Sequence, residues 1–226
     1  MNQFVYEIVY FLASFFAVML VISFHEFAHA FVAYKCGDPT AKINGRCSIN
    51  PVVHFDLLGI LMFTFAGFGW AKPVPVNPLN FNHYRKGMFL TAIAGVVMNL
   101  IMAFIAYPIF LLVFKYVNLP WLPIQSFIKL FFQLIWIYSI SFCVFNLIPL
   151  SPLDGWRVVE ALNRRHGKVY RFLQRYGYII LLVLIAIHFI ARYLSYFYYI
   201  DILGFILSFA TNIVAWPITT LWGLII

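Results

Sequence analysis

The run EIVYFLASFFAVMLVISFHEFAHAFVAY, residues 7–34, decides the fold. As a helix it is long enough to cross the roughly 30 Å of hydrocarbon in a bilayer. It nevertheless carries His25, Glu26 and His29 toward its far end. Comparable apolar runs recur at about 87–114, 127–148, 177–194 and 202–226. Of the 226 residues, 64% are hydrophobic and 10% charged, against roughly 25% charged in soluble domains. A water-soluble core cannot absorb that much apolar surface, so the expectation is an all-α polytopic membrane protein of five to six transmembrane helices. The stretch 57–70 is apolar but short, and it holds Gly59, Gly67 and Gly69. It is expected to re-enter or lie at the interface as a short re-entrant or β-like segment near the ionisable end of the first run.

Charge sets the topology. Of the 15 basic residues, 12 lie between the first and second long runs or between the third and fourth. The positive-inside rule assigns both loops to the cytoplasm, the N-terminus to the outside and the C-terminus to the inside. Residues 25–29 and Asp154, about 125 apart in sequence, then share one membrane depth on the cytoplasmic side. No Lys or Arg precedes Lys35, so the basic region of a signal peptide is missing and the first run is expected to be a true span. The net charge of +8 fits lipid headgroups and topology rather than nucleic acid. Cys36, Cys47 and Cys143 form no paired framework. No repeat or Ser/Gly linker divides the chain, which reads as one membrane domain, 1–226.

Residues 25–29 read HEFAH. Positions i and i+4 of a helix share a face, so His25 and His29 can aim nitrogens at one tetrahedral Zn²⁺. Glu26 lies beside them, where a carboxylate can take a proton from an attacking water. With this chain's own His and Glu usage, roughly 0.002 such motifs arise by accident. Each ionisable group at helix centre also costs about 2.5–3.5 kcal/mol to insert, and such residues mark function by default. A catalytic zinc site needs a third protein ligand. Among seven acidic residues, Glu7 and Asp201 fall on the outer side, Asp38 and Asp56 follow the first span, and Glu160 sits in a basic loop. Asp154 stands out, because Pro149 and Pro152 break the third span before it and Gly155 permits a tight turn. A broken helix at membrane depth is tolerated where it lines a cavity.

In these residues the chain resembles the site-2 protease family of intramembrane metalloproteases. Three blocks carry the resemblance in order: HEFAH at 25–29, GWAKPVPVNP at 69–78 and NLIPLSPLDG at 146–155. It implies one Zn²⁺ per chain held by His25, His29 and Asp154, with Glu26 as general base. Ser151 stands where relatives often have proline, Gly95-Val96-Val97-Met98-Asn99 departs from the Gly-Pro commonly found before the Asn, and Leu57 replaces a proline after His54-Phe55-Asp56. No PDZ-like or nucleotide-sensing extension is expected, as in compact prokaryotic members.

His54 and Asn146 are candidate donors to the oxyanion formed at a peptide carbonyl, alternatives being an interfacial histidine and a helix cap. Residues 72–78 alternate prolines with extended residues, suiting an edge that receives a substrate strand, or else a rigid connector. His188, Arg192, His83 and His166 read as interfacial. The expected activity is zinc-dependent cleavage of a single-pass membrane protein helix near the cytoplasmic side of the cell membrane. The competing possibilities are a membrane zincin with Glu160 as third ligand, a zinc or cation transporter, or a non-proteolytic metal-binding scaffold. Glu26 discriminates among them, since transport needs ligands but no base.

Overall fold

The computed structural model describes residues 1–66, 69–191, 194 and 199–226, and the side chain of Ala66 is left aside. Gly67 and Arg192, both singled out above, lie outside the described residues. In chain order the helices are α1 (Gln3–Lys35), α2 (Thr40–Ile43), α3 (Pro51–His54), α4 (Leu57–Ala66), α5 (Tyr84–Tyr116), α6 (Leu122–Asn146), α7 (Asp154–Leu162), α8 (Lys168–Ala191) and α9 (Ile202–Gly223). A 3₁₀ turn, Pro78–Asn80, precedes α5. Five helices, α1, α5, α6, α8 and α9, are long and apolar enough to cross a membrane. No strand occurs among the described residues.

Small residues bring the first three long helices together. Ala13, Ala17 and Val21 of α1 meet Ala106 of α5 and Leu134 and Ile135 of α6. With lipid tails as apolar as leucine, close backbone approach and dispersion drive such association. Ala103, Ile140, Val144 and Ile218 dock α9 on α5 and α6. Phe205, Phe209, Ile213 and Trp216 along α9 are exposed, and near-fourfold spacing makes them a lipid-facing stripe. The α8 helix begins at Lys168, so Lys168, Arg171 and Arg175 sit in its first two turns rather than in the loop. Their aliphatic stems let the helix continue past the apolar layer while the charges stay wet.

The α4 helix has 10 residues, about 15 Å of rise, half a bilayer core. Asp56 caps its start, its Oδ1 accepting from Gly59 N–H at 2.9 Å. Lys72 N–H donates to His54 O at 3.1 Å, so the two ends of the segment meet again. Gly59 and Gly69 cross in between, where a Cβ on either would strike the backbone of the opposite limb, Trp70 O and Gly59 O respectively. The two described limbs, 57–66 and 69–72, therefore pack against each other. Residues 71–77 carry neither helix nor strand; the prolines at 73 and 75 remove donors that a ladder would need.

The end of α1 is tied to this segment. Gly37 has φ +110°, and the N–H groups of Gly37 and Asp38 donate back to Tyr34 O (3.1 Å) and Ala33 O (2.9 Å), a Schellman closure. It delivers a fully buried Asp38, whose Oδ2 accepts from Asn77 N–H (2.7 Å) and whose Oδ1 accepts from Thr40 N–H (3.1 Å) and Asn80 Nδ2 (2.8 Å). Burial alone would push this carboxyl up. The donors on Thr40, Asn80 and Asn77 outweigh burial and hold it below the ordinary value of 3.8. A depressed folded pKa stabilises the fold above the unfolded value, and that contribution is lost as pH falls through the folded one. Asp38→Asn is thus expected to lower the Tm of detergent-solubilised protein at neutral pH, with the gap to wild type closing below about pH 4. A gap independent of pH would contradict this account of Asp38.

Candidate metal centre

The α1 helix places His25 and His29 one turn apart on the face turned toward α5, and both are buried. Each ring is held from behind. His29 Nδ1–H donates to Thr91 O at 2.7 Å, and His25 Nδ1 lies 3.0 Å from the carboxamide of the fully buried Asn99. Asn99 Nδ2 is placed toward that ring nitrogen while Asn99 Oδ1 is buried without a partner; turning the amide over, its two ends being alike in shape, gives Oδ1 the His25 Nδ1–H as donor. Fixing both Nδ1–H groups leaves both Nε2 lone pairs on the other side. Those nitrogens lie 3.0 Å apart.

Asp154 closes the triangle. It is the first residue of α7, after a turn containing Pro149 and Pro152. Its Oδ2 lies 3.2 Å from His25 Nε2 and 3.0 Å from His29 Nε2. Gly155, expected to permit a tight turn, does something else. It is helical, and a Cβ there would strike the carbonyls of Leu147 and Ile148, so glycine lets α7 pack against the end of α6. Trp156 stacks on Tyr170 of α8 with ring centroids 5.1 Å apart, fixing the far side.

The donor set tests whether a metal fits. With both Nδ1 protonated, two nitrogen lone pairs and a carboxylate oxygen face one another, and Asp154 Oδ2 is buried without a hydrogen-bond donor. Three acceptors without a donor call for a cation. Two imidazoles and a carboxylate suit zinc and leave one tetrahedral position open. Beside the triad is a cavity of about 120 Å³ lined by His25, Glu26, His29, Pro73, Val74, Asn146, Pro152, Asp154 and Arg157. Since a water occupies roughly 30 Å³ of liquid, the space admits a water and a peptide group together.

Glu26 accepts from Val74 N–H at 3.1 Å through Oε2. Asn146, the last residue of α6, lines the cavity and donates from Nδ2 to Phe142 O at 3.1 Å. His54 is not among the lining residues. It is buried, with Nε2–H committed to Ser48 O at 2.8 Å. Glu160 lies in α7, six residues beyond Asp154, outside both the triad and the cavity lining. His188 pairs with Asp201, Nδ1 to Oδ2 at 2.8 Å, joining α8 to the cap of α9. Thr91 and Gly95, missed in sequence, complete with Asn99 a stripe at fourfold spacing on α5 against the histidine rings. Small and polar residues recurring every four positions in an apolar span were the available signal. Arg157, also missed, stands one turn after Asp154.

Comparison with known proteins agrees with this architecture. Residues 119–188, which include the Asp154 turn, match the model of peptidase family M50. The chain is 42% identical over 178 residues to YwhC of Bacillus subtilis (strain 168), a protein named as a candidate zinc metalloprotease, covering 76% of this chain and 80% of the relative. It is 24% identical over 173 residues to Rip2 of Mycolicibacterium smegmatis (strain ATCC 700084 / mc(2)155), named likewise, covering 74% of this chain and 64% of the relative. No solved structure matches. A chain of membrane-spanning helices that aligns so fully with YwhC and matches the family model across its third span belongs to peptidase family M50, the zinc metalloproteases of the site-2 type.

Proposed function

We propose that the chain hydrolyses a peptide bond in single-pass membrane proteins, close to the cytoplasmic side of the membrane, and that residues 1–226 work as one domain. The observation that carries this is the convergence of three acceptors, His25 Nε2, His29 Nε2 and Asp154 Oδ2, beside a carboxylate that is not one of them. When bound there, zinc supplies a Lewis acid for the scissile carbonyl and the charge that makes water acidic enough to attack at neutral pH.

The chain's own groups do the rest. One Glu26 oxygen is engaged by Val74 N–H, leaving the other to accept the proton of the attacking water and then hand it to the departing amine. Asn146 gives one Nδ2 hydrogen to Phe142 O and keeps a second for the oxyanion. His54, committed to Ser48, acts through its carbonyl, which holds Lys72 N–H at the start of the extended segment. Residues 72–78 receive the locally unwound substrate as an added strand, since Pro73 and Val74 line the same cavity as the triad. The cytoplasmic placement is supported by the twelve basic residues that lie between the first and second or between the third and fourth long apolar runs, and it would give water a short route to the site.

The test uses purified chain in lipid nanodiscs and a single-span peptide carrying a fluorophore and quencher on either side of the helix. Cleavage should stop on chelation and return with one equivalent of Zn²⁺. Equal rates for chelated and zinc-loaded protein would overturn the proposal.

A further inference from the structure

We propose that Asp38 is a positioning residue for this proteolysis, the clasp that sets the register of residues 72–80 against the helix carrying His25, Glu26 and His29. The proposal rests on the assignment of 72–78 as the substrate-receiving edge. Nothing about a buried aspartate after a membrane span requires it to touch a distant segment, yet both its carboxylate oxygens are spent on one. Oδ2 takes Asn77 N–H at 2.7 Å and Oδ1 takes Asn80 Nδ2 at 2.8 Å. Asn82 N–H adds a bond to Cys36 O at 2.9 Å.

Three features make this a clasp rather than a loop contact. First, Asp38 cannot drift, because the Schellman closure at Gly37 fixes it to the end of α1, and its Thr40 N–H bond starts α2. Second, the segment it grips has few donors of its own, prolines standing at 73, 75 and 78, so each remaining N–H weighs heavily in setting register. Third, the other end of the same segment is held by Glu26 itself, through Val74 N–H at 3.1 Å. Between the two anchors only Pro75 and Val76 intervene. One carboxylate near the reacting centre and one beyond the helix end therefore hold a four-residue edge, Val74 to Asn77, at a fixed height over the metal triad. Val74 is buried against Ala30 and Ala41, so a slip of one residue would swap it with a proline and turn the edge over.

A carboxylate is needed because every partner is a donor. Asn at position 38 is the same size but must turn its own NH₂ toward either Asn77 N–H or the Asn80 and Thr40 donors, so one anchor opens while the packing stays. The effect falls on substrate binding more than on chemistry, because Glu26 keeps its place on α1.

The experiment compares wild type, Asp38→Asn and Asn80→Ala as full-length chains in nanodiscs, with Glu26→Gln as reference. Three quantities are read: zinc per chain, amide exchange over 72–80, and KM and kcat on the fluorogenic single-span peptide. For Asp38→Asn we expect exchange over 72–80 to rise at least about tenfold with residues 25–35 unchanged. Zinc should stay at wild-type stoichiometry, and kcat/KM should fall between about tenfold and a hundredfold, chiefly through KM. Asn80→Ala should move in the same direction by less, and it decides the matter if Asp38→Asn does not fold. Unchanged exchange over 72–80, or unchanged kcat/KM despite faster exchange, overturns the clasp. If wild type and Glu26→Gln both leave the peptide intact, the protease assignment fails, and the exchange data still decide whether Asp38 holds the segment.

Discussion

Glu26→Gln should lower turnover of a single-span peptide by about 10²- to 10⁴-fold while zinc content stays at one ion per chain. The two halves of that expectation come from different atoms. The metal triad is His25 Nε2, His29 Nε2 and Asp154 Oδ2, and Glu26 is outside it, so the substitution removes no ligand. Glutamine keeps an oxygen that can accept Val74 N–H, so the contact at 3.1 Å and the start of the extended segment survive. What disappears is a group able to take and return a proton. His25→Ala or Asp154→Ala should do the opposite, releasing zinc and leaving an imidazole or carboxylate buried without its partner. Parallel metal analysis and kinetics on the three variants separate the roles. A Glu26→Gln protein with wild-type turnover would mean that the base lies elsewhere, whatever the triad holds.

How far this centre could be read from sequence depended on the distance over which its geometry is set. His25, Glu26 and His29 are one turn of one helix, and helical periodicity alone puts the two histidines on a face. Asp154 needed topology, because only the arrangement of spans places it at the same depth. The all-helical class and the five long apolar helices followed from length and composition, which are local quantities. The residues behind the histidines did not follow. A soluble helix advertises its inner face by an apolar stripe, but a membrane helix is apolar all round, so the rotation of α5 that turns Thr91, Gly95 and Asn99 toward α1 shows only in that sparse stripe of small and polar residues. In the sequence Asp38 merely follows the first span, since its partners at 77 and 80 lie some forty residues away. His54 was a reasonable donor by composition, but its buried bond to Ser48 O is a matter of loop packing that no spacing encodes.

The second large effect is expected at Gly95, which touches no substrate and binds nothing. A Cβ built there would lie 2.5 Å from His25 Cε1, 2.7 Å from His25 Nδ1 and inside contact distance of His29 Nε2. An ordinary Cβ contact needs more than 3.4 Å. The rings cannot recoil. His29 is held from behind by Thr91 O and His25 by Asn99, both on the same helix as Gly95, so moving α5 away pulls on the groups that orient the rings. On the far side stands Asp154 Oδ2, 3.0 and 3.2 Å from the two Nε2 atoms. Gly95→Ala must therefore either tilt an imidazole out of the triad or open the α1–α5 contact. Disturbing the groups that orient metal-bound histidines typically weakens metal binding by about 10- to 100-fold, and here both histidines are struck at once. We expect zinc affinity, measured by competition with a chelator, to fall by at least that much, and peptide cleavage at limiting zinc to fall with it. Gly223→Ala, near the end of α9 with nothing within 4 Å of the added carbon, is the matched control and should leave both unchanged. Because helix propensity alone favours alanine over glycine by about 1 kcal/mol, a Gly95→Ala protein that bound zinc as wild type does would show that α5 has room to yield, and that the histidine rings are not held as tightly as their four contacts imply.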